Sequence, residues 1–528
     1  MNNPFKTLLF LAMFAGATVA NSQSIKRVEI PLPSNSVEFF TIPIQEKGVI
    51  LMNQLGKTGF QLTRFDSNLE KMWSVQGNID ANLDYVTNCF DGQNLYLLFS
   101  RFRTNIYEVV KVYIGPGFIE KYQLLSVDKL EVSDFKAINN AVFIAGLVNT
   151  QPVILYSDLV ARTIKILPSV VKDKAEIQSM ELDTLNKVVN VTYAVGNRAK
   201  NYQLLVKSFD ETGQQVSQFA LDPQDEFAMM NGRLNVVSDS TDLMLGTYGY
   251  KSTIGNSKGA TSQGFYIGKI MDNEVTDMKY HSFTDFKNFF NFLPERQRER
   301  MVKKIESKKE KGDDVRLDYR MLMHDIIKVN DQYIMVAEAF YPEYRYQNNY
   351  PYNSFGGYSP YGTSFYNPYG NSWGYGSFGR YSPYSSYYGY NSYRNQEVFD
   401  GYKYTHAVIA AFDKDGNLLW DNSLEIKNVK NRKLKEIVKT RVENNVVTLS
   451  YSNNGKIVTK VIKGNDTVEE ATEKDIDTKR MGDVVRSSNS DDLELWYDKY
   501  FLAYGYQKIR NETEGERRSV FYLNKISF

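Results

Sequence analysis

Residues 49–77 read VILMNQLGKTGFQLTRFDSNLEKMWSVQG. A largely apolar run from Val49 to Leu55 meets the turn formers Gly56 and Gly59. A second run ends in Phe65-Asp66, and a third, after a polar turn, carries Trp73. Short runs of β-favouring residues bounded by turn formers predict consecutive antiparallel strands. The phrase returns at residues 406–426, HAVIAAFDKDGNLLWDNSLEI, where Phe412, Asp413 and Trp420 repeat Phe65, Asp66 and Trp73 in type and spacing. Phe209-Asp210 repeats its opening half. A turn after Phe-Asp, followed by a large aromatic on the returning strand, makes a hairpin able to pack on a neighbour.

The opening run recurs along the chain, beginning at Val49, Leu95, Val142, Val188, Leu243, Tyr333, Val446 and Tyr500, with first spacings of 46, 47, 46 and 55 residues. That period matches a four-stranded propeller blade. It predicts an all-β protein over residues 23–528, a β-propeller of seven or eight blades. The C-terminal unit stops one strand short, and IKRVEIPL from Ile25 can supply the missing outer strand and close the ring.

Two spacings are wide, 90 and 113 residues, and leave two insertions. The first, residues 285–314, holds a helix between Pro294 and Gly312 with eight Lys or Arg against four Glu. Its basic face is Arg296, Arg300, Lys303 and Lys304. The second, residues 341–394, is rich in Tyr, Gly, Ser and Asn, and its central stretch is devoid of aliphatic side chains. Such a tract cannot bury enough surface to fold alone and is expected to be disordered. Tyr358, Tyr361, Tyr366, Tyr369, Trp373, Tyr375, Tyr381, Tyr384, Tyr387 and Tyr388 offer the rigid, amphipathic contacts that binding loops use. The alternative is a passive low-complexity insertion, or one that self-associates. For the basic helix the alternative is a solvated face covering the propeller. The first insertion joins the outer strand of one blade to the inner strand of the next; the second joins the two middle strands of a blade. Strands alternate direction, so both emerge on one face.

The first 22 residues, with Lys6, an apolar run from Leu8 to Ala20 and small residues after it, read as a signal peptide cleaved after Ala20 or Ser22. Export, to the periplasm or the periplasmic side of an outer membrane, is expected. The single cysteine, Cys89, allows no intramolecular disulfide and reads as a small buried apolar residue. No second apolar stretch is long enough for a transmembrane helix. Sixty-three basic against 62 acidic residues leave a formal charge of +1, without the basic excess of a nucleic-acid binder.

Catalytic patterns are sparse. The histidines are His281, His324 and His406; with no HExxH or CxxC spacing, neither a metal site nor a cofactor is expected. His324 and His406 fall in strands of one blade, where they are either satisfied core residues or a proton-relay or metal pair. GxSxG matches around Ser257 and Ser372, and a GxGxxG match from Gly374, lack the strand-to-helix turn their chemistry requires. Phe528 ends a strand whose Val520, Tyr522 and Ile526 share one face, a feature also of outer-membrane barrels, but the short runs favour a propeller.

The Trp-bearing hairpin FDKDGNLLWDNSLEI resembles those of secreted quinoprotein-type propellers, including the non-enzymatic propeller that assists outer-membrane protein assembly. The enzymes of that group carry adjacent cysteines and a calcium-binding carboxylate set; the lone Cys89 departs from the cysteine pair and speaks against the enzyme reading. The Tyr- and Asn-rich style with a Lys/Glu helix is similar to that of envelope proteins of Bacteroidota-type bacteria. The resemblance implies a non-catalytic protein-interaction module, an accessory subunit of an outer-membrane assembly or secretion complex, with a channel among its possible partners. Two other expectations stand beside it: a glycan-acting hydrolase using carboxylates in the central channel, and a self-associating matrix protein.

Overall fold

The computed structural model describes residues 23–528 apart from 33–36, 81, 102–104, 126–129, 170–173, 185, 197–201, 225, 239, 254–260, 314 and 348–395. Residues 1–22, expected to be a signal peptide, the GxSxG and GxGxxG matches, and all ten Tyr and Trp residues named above therefore lie outside the described residues. Those described form eight separate antiparallel sheets, seven of them from consecutive sequence. These are the blades of a propeller, and the seven-bladed alternative falls. Each recurring run is the second strand of a blade, from Val49–Leu55 in blade 1 to Tyr500–Asn511 in blade 8. These strands read as near-continuous apolar runs because both faces pack against neighbouring blades. Tyr96, Phe135 and Val142, for example, pack together between blades 2 and 3.

Local chemistry sets the hairpins. Asn330-Asp331, Asn444-Asn445 and Asp272-Asn273 have positive φ at both positions, the turn whose twist matches antiparallel strands. In the Phe-Asp phrase the aspartate ties its own turn. Asp66 Oδ1 accepts from the backbone N–H groups of Asn68 and Glu70, Asp210 Oδ1 from Thr212 and Gln214, and Asp413 Oδ1 from Asp415 and Asn417. The following tryptophan packs on the next blade. Trp73 Nε1 donates to the Ile114 carbonyl at 3.0 Å, and its ring lies against Gly117, where φ is 73° and a Cβ would come within 2.8 Å of the ring.

Closure uses the N-terminal strand, Gln23–Pro31, paired antiparallel with Arg517–Ser527 as the outer strand of blade 8. Arg518 clasps the join: its Nε donates to Glu29 at 2.9 Å and its Nη1 to Asp483 at 2.8 Å. Arg27, buried, donates to Glu29 and Gln507 at 2.9 and 2.8 Å. Phe528 packs edge-on against Phe501 within this same blade.

The first insertion leaves blade 5 after its outer strand, Glu274–Ser282, and carries one α-helix, α1, Glu295–Glu310. The expectation of a solvated segment holds for α1, where Ile305 alone is buried, but not for the turns before it. Phe283, Phe286, Phe289 and Phe290 are buried against Met321, Met323 and Met335 of blade 6. The backbone N–H groups of Lys287 and Asn288 donate to Asp421 at 2.9 and 2.6 Å, and Ser423 Oγ donates to the Asn288 carbonyl. This wedge covers the outer strand of blade 6, Leu418–Glu425, and so protects what would be an open sheet edge.

The second insertion also differs from its expected bounds. The middle strands of blade 6, Gln332–Gln347 and Gln396–Phe412, stay paired from Tyr341↔Lys403 to Gln347↔Gln396. The inner strand ends opposite Phe340 and the outer strand opposite His406, so the two middle strands continue past them as a ribbon. Aromatic side chains on Tyr344, Phe399 and Tyr402 sustain the ladder into what composition alone assigned to the loop.

Candidate functional site

The inner strands of the propeller are broken at one level. The register shifts at Ser133 in blade 3 and at Gln178 in blade 4, and in blade 6 the inner strand is interrupted from His324 to Ile326. Ser133, Gln178 and His324 each stand five residues before the last paired residue of their strand, Ile138, Asp183 and Val329. Blade 5 splits its inner strand between Met229 and Arg233, and blade 8 shifts between Asn489 and Asp492. Bulges re-aim side chains and cluster at functional sites. Here they bring charged groups together at the axis.

Arg233, buried on blade 5, spans neighbouring blades. It lies 3.4 Å from Glu181 of blade 4 and 3.1 Å from Asp325 of blade 6. On blade 3, Lys136 lies 3.3 Å from Asp134. Burial raises the Asp134 pKa, opposed by Lys136 and by Arg233. Lys136 in turn is raised, Asp134, followed by Cys89 and Asp325, outweighing its burial. Glu181 is pushed up to about 7, chiefly by burial, with Arg233 opposing and Asp325 adding to the rise. Access from solvent is through Asp325, whose side chain is 76% exposed.

Blades 6 to 8 continue the network. Glu338, on the second strand of blade 6, is fully buried. It meets His324 Nε2 at 2.8 Å and accepts the backbone N–H groups of Ile437 and Val438 at 2.9 and 2.6 Å, holding the segment that leads into blade 7. Burial would lower the His324 pKa, but Glu436 and Glu338 together raise it. Lys439 pairs with Glu494 at 2.9 Å, and Lys435 with Asp492 at 2.5 Å. The axis is thus polar and rich in carboxylates, with Asp134, Asp325, Asp492 and Glu494 each facing a Lys or Arg.

His324 and His406 do not meet as a pair. His406 stands opposite Ala339, whereas His324 reaches Glu338, the adjacent residue, whose side chain points to the other face of the blade. His406 is enclosed by Phe289 and Phe292, which precede α1, and by Tyr319, which follows it; it is stacked on Phe292 at 3.5 Å, and burial lowers its pKa to about 3. Cys89 is buried, its thiol pushed up to about 11 by burial. Arg296, Arg300, Lys303 and Lys304 are all exposed on α1. Among the described residues, no three His, Cys, Asp or Glu side chains are grouped so as to hold a metal ion.

Sequence reasoning did not single out Glu181, Arg233, Asp325 or the Asp134–Lys136 pair. The available signal was a charge set inside an otherwise apolar inner strand, as in VSDFKAI, GRLNVV and MLMHDII.

No protein-family model and no curated protein matches the chain. Among solved structures it is similar to polysaccharide lyase Uly1, at 7% identity and a TM-score of 0.37, over 85% of this chain and 91% of that one. It is similar also to the β-propeller domain of the Trilobed protease from Pyrococcus furiosus, at 8% identity and a TM-score of 0.33, over 84% and 93%. A Synechocystis apocarotenoid oxygenase mutant matches at 7% identity and a TM-score of 0.30, over 47% of this chain and 63% of its own. Likenesses this distant bring no chemistry to the chain.

Proposed function

We propose that this protein is an exported, non-catalytic interaction module whose contact surface is the face bearing α1 and the Tyr-rich tract. Its partner on this reading is a protein of the cell envelope, in an outer-membrane assembly or secretion complex. The observation that carries the reading is the blade 6 ribbon. Seven residue pairs, from Tyr341↔Lys403 to Gln347↔Gln396, lie beyond the inner strand and Leu418–Glu425, the first two of them flanked on the outer side by the short strand Lys430–Asn431. At roughly 3.3 Å per residue they reach about 20 Å. Lys430 anchors the ribbon base to Asp400 at 2.5 Å and to Glu343 at 3.1 Å. A chain that only tolerated a low-complexity insertion would need no such arm.

The test is affinity purification from envelope fractions, comparing the intact chain with one in which residues 348–395 are replaced by a short Gly-Ser loop. Loss of one defined partner, with the melting temperature unchanged, is the expected result. An unchanged partner set refutes docking through the tract. Concentration-dependent oligomers that vanish with the tract would make it a self-assembly element instead.

A second reading, a glycan-acting hydrolase, is favoured by one observation: a carboxyl group whose pKa lies near 7, Glu181, matches what a general acid requires. Against it, Asp134, Asp325, Asp492 and Glu494 are each spent on a cation rather than free to act as base or nucleophile. Hydrolysis of any glycan by the wild type that disappears in Glu181→Gln would establish this reading over the first.

A further inference from the structure

Between the blade 6 ribbon and the inner strand of blade 7 the chain forms a strap, residues 432–438, which lies outside every strand. Its start is fixed at the ribbon base, where Lys430–Asn431 pairs with Tyr402 and Lys403. Leu434, Ile437 and Val438 pack in the core shared by blades 6 and 7. Tyr404 OH accepts the Lys435 N–H at 3.0 Å and donates to the Lys435 carbonyl at 2.6 Å, while Lys435 Nζ reaches Asp492 of blade 8. The far end hangs on Glu338, through the N–H groups of Ile437 and Val438.

One attachment of this strap can be switched. His324, 6% exposed, lies between Glu338 of blade 6 and Glu436 of the strap. Its Nε2 donates to Glu338 at 2.8 Å, and its Nδ1 stands 3.9 Å from the Glu436 carboxylate. The hydrogen bond to Glu338 keeps Nε2 protonated, so the proton that leaves the imidazolium is the one on Nδ1. A lone pair then faces the Glu436 carboxylate where a charged N–H stood, and Glu436 and Glu338 are left without the cation between them. Lys439, the other cation facing the histidine, is engaged by Glu494 at 2.9 Å. Asp325, next to His324 in the chain, is turned to Arg233 at 3.1 Å. We propose that His324 is a proton-operated latch, which holds the strap and the ribbon base when both ring nitrogens carry protons and slackens them when Nδ1 does not. Burial opposes the imidazolium, but Glu436 and Glu338 outweigh it and raise the His324 pKa. The held state is therefore complete below the ordinary histidine pKa and is lost as pH rises through the raised value. The latch acts on the strap itself and stands whether or not the ribbon docks a partner.

Hydrogen exchange of the full chain, read by mass spectrometry from pH 5.5 to 9 with intrinsic exchange rates divided out, tests the latch. Protection of residues 432–439 and 399–403 should fall at least about fivefold across that range, the upper value for a partly exposed ion pair. Residues 49–55 of blade 1 should keep their protection. His324→Gln, which retains a donor toward Glu338 but gains no charge, should show the slackened level at every pH. Glu436→Gln removes the carboxylate that faces Nδ1 and should flatten the profile, and it decides the matter if His324→Gln does not fold. A flat wild-type profile, a loss shared equally by residues 49–55, or the wild-type profile persisting in either variant overturns the proposal.

Discussion

Glu181 couples the axis to pH. Its pKa, raised to about 7, means that the folded state holds this proton more tightly than the unfolded chain does. The stabilisation is complete below the ordinary glutamate pKa and is lost as pH rises through about 7. Glu181→Gln, which keeps the neutral shape, should therefore be more stable than the wild type by about 1–3 kcal/mol at pH 8 and lose that advantage by pH 5, in denaturant melts at the two pH values. A second prediction concerns Gly117. Its positive φ and the Trp73 ring both oppose a side chain there, so Gly117→Ala should cost about 1–3 kcal/mol. The aspartate turns and the tryptophan hairpins were legible in the sequence because their bonds are local or follow the repeat. The axial ion pairs were not. Glu181, Arg233 and Asp325 come from three blades, and nothing along the chain states which charges a ring will bring together.

The two insertions illustrate what spacing can and cannot reveal about an element. The gaps in the repeat located both, and placed each between the correct strands. They did not show that FTDFKNFFNF is a wedge, because its phenylalanines are followed by a strongly charged helix. Packing separates the two parts: Phe289 is fully buried and stacks on Phe283 at 4.6 Å, whereas α1 buries one side chain. Phe289→Ala should cost about 3–5 kcal/mol. Replacing residues 295–310 with a short flexible linker should cost no more than about 1–2 kcal/mol, the loss of Ile305. If chemical denaturation shows the reverse order, α1 rather than the wedge holds this region. Composition likewise placed the start of the Tyr-rich tract at Tyr341, because tyrosine favours strands and binding loops alike; cross-strand pairing decided for the strand through Gln347.

At the scale of the molecule, stability depends on the seam of blade 8. Asp483 is held down to about 2, first by its hydrogen bonds to Arg518 and then by Asn511. Glu29 is also lowered, Arg518 and Arg27 together overcoming its burial. Both carboxyls have depressed folded pKa values, so their contribution is complete above the ordinary carboxylate range and is lost as pH falls toward 2. Arg518→Ala leaves two buried carboxylates without this partner and should cost about 3–5 kcal/mol at pH 7. The deficit should shrink as pH falls from 5 to 2, read from thermal melts across that range. Eight blades and strand closure were legible because each blade repeats one apolar run and the last unit lacked a strand.

The seam also fixes an order of events. Arg518 and Glu29 are 489 residues apart in sequence, and the strand Gln23–Pro31 finds its partner only in Arg517–Ser527. Seven blades are made of consecutive hairpins and can form one after another as the chain emerges. The eighth cannot. Loop closure over so long a span comes late and leaves an unpaired strand at the leading end until then. A chain that travels N-terminus first would carry that strand open throughout its passage. The ring is completed only when the trailing end, Arg517–Ser527, arrives to pair with it.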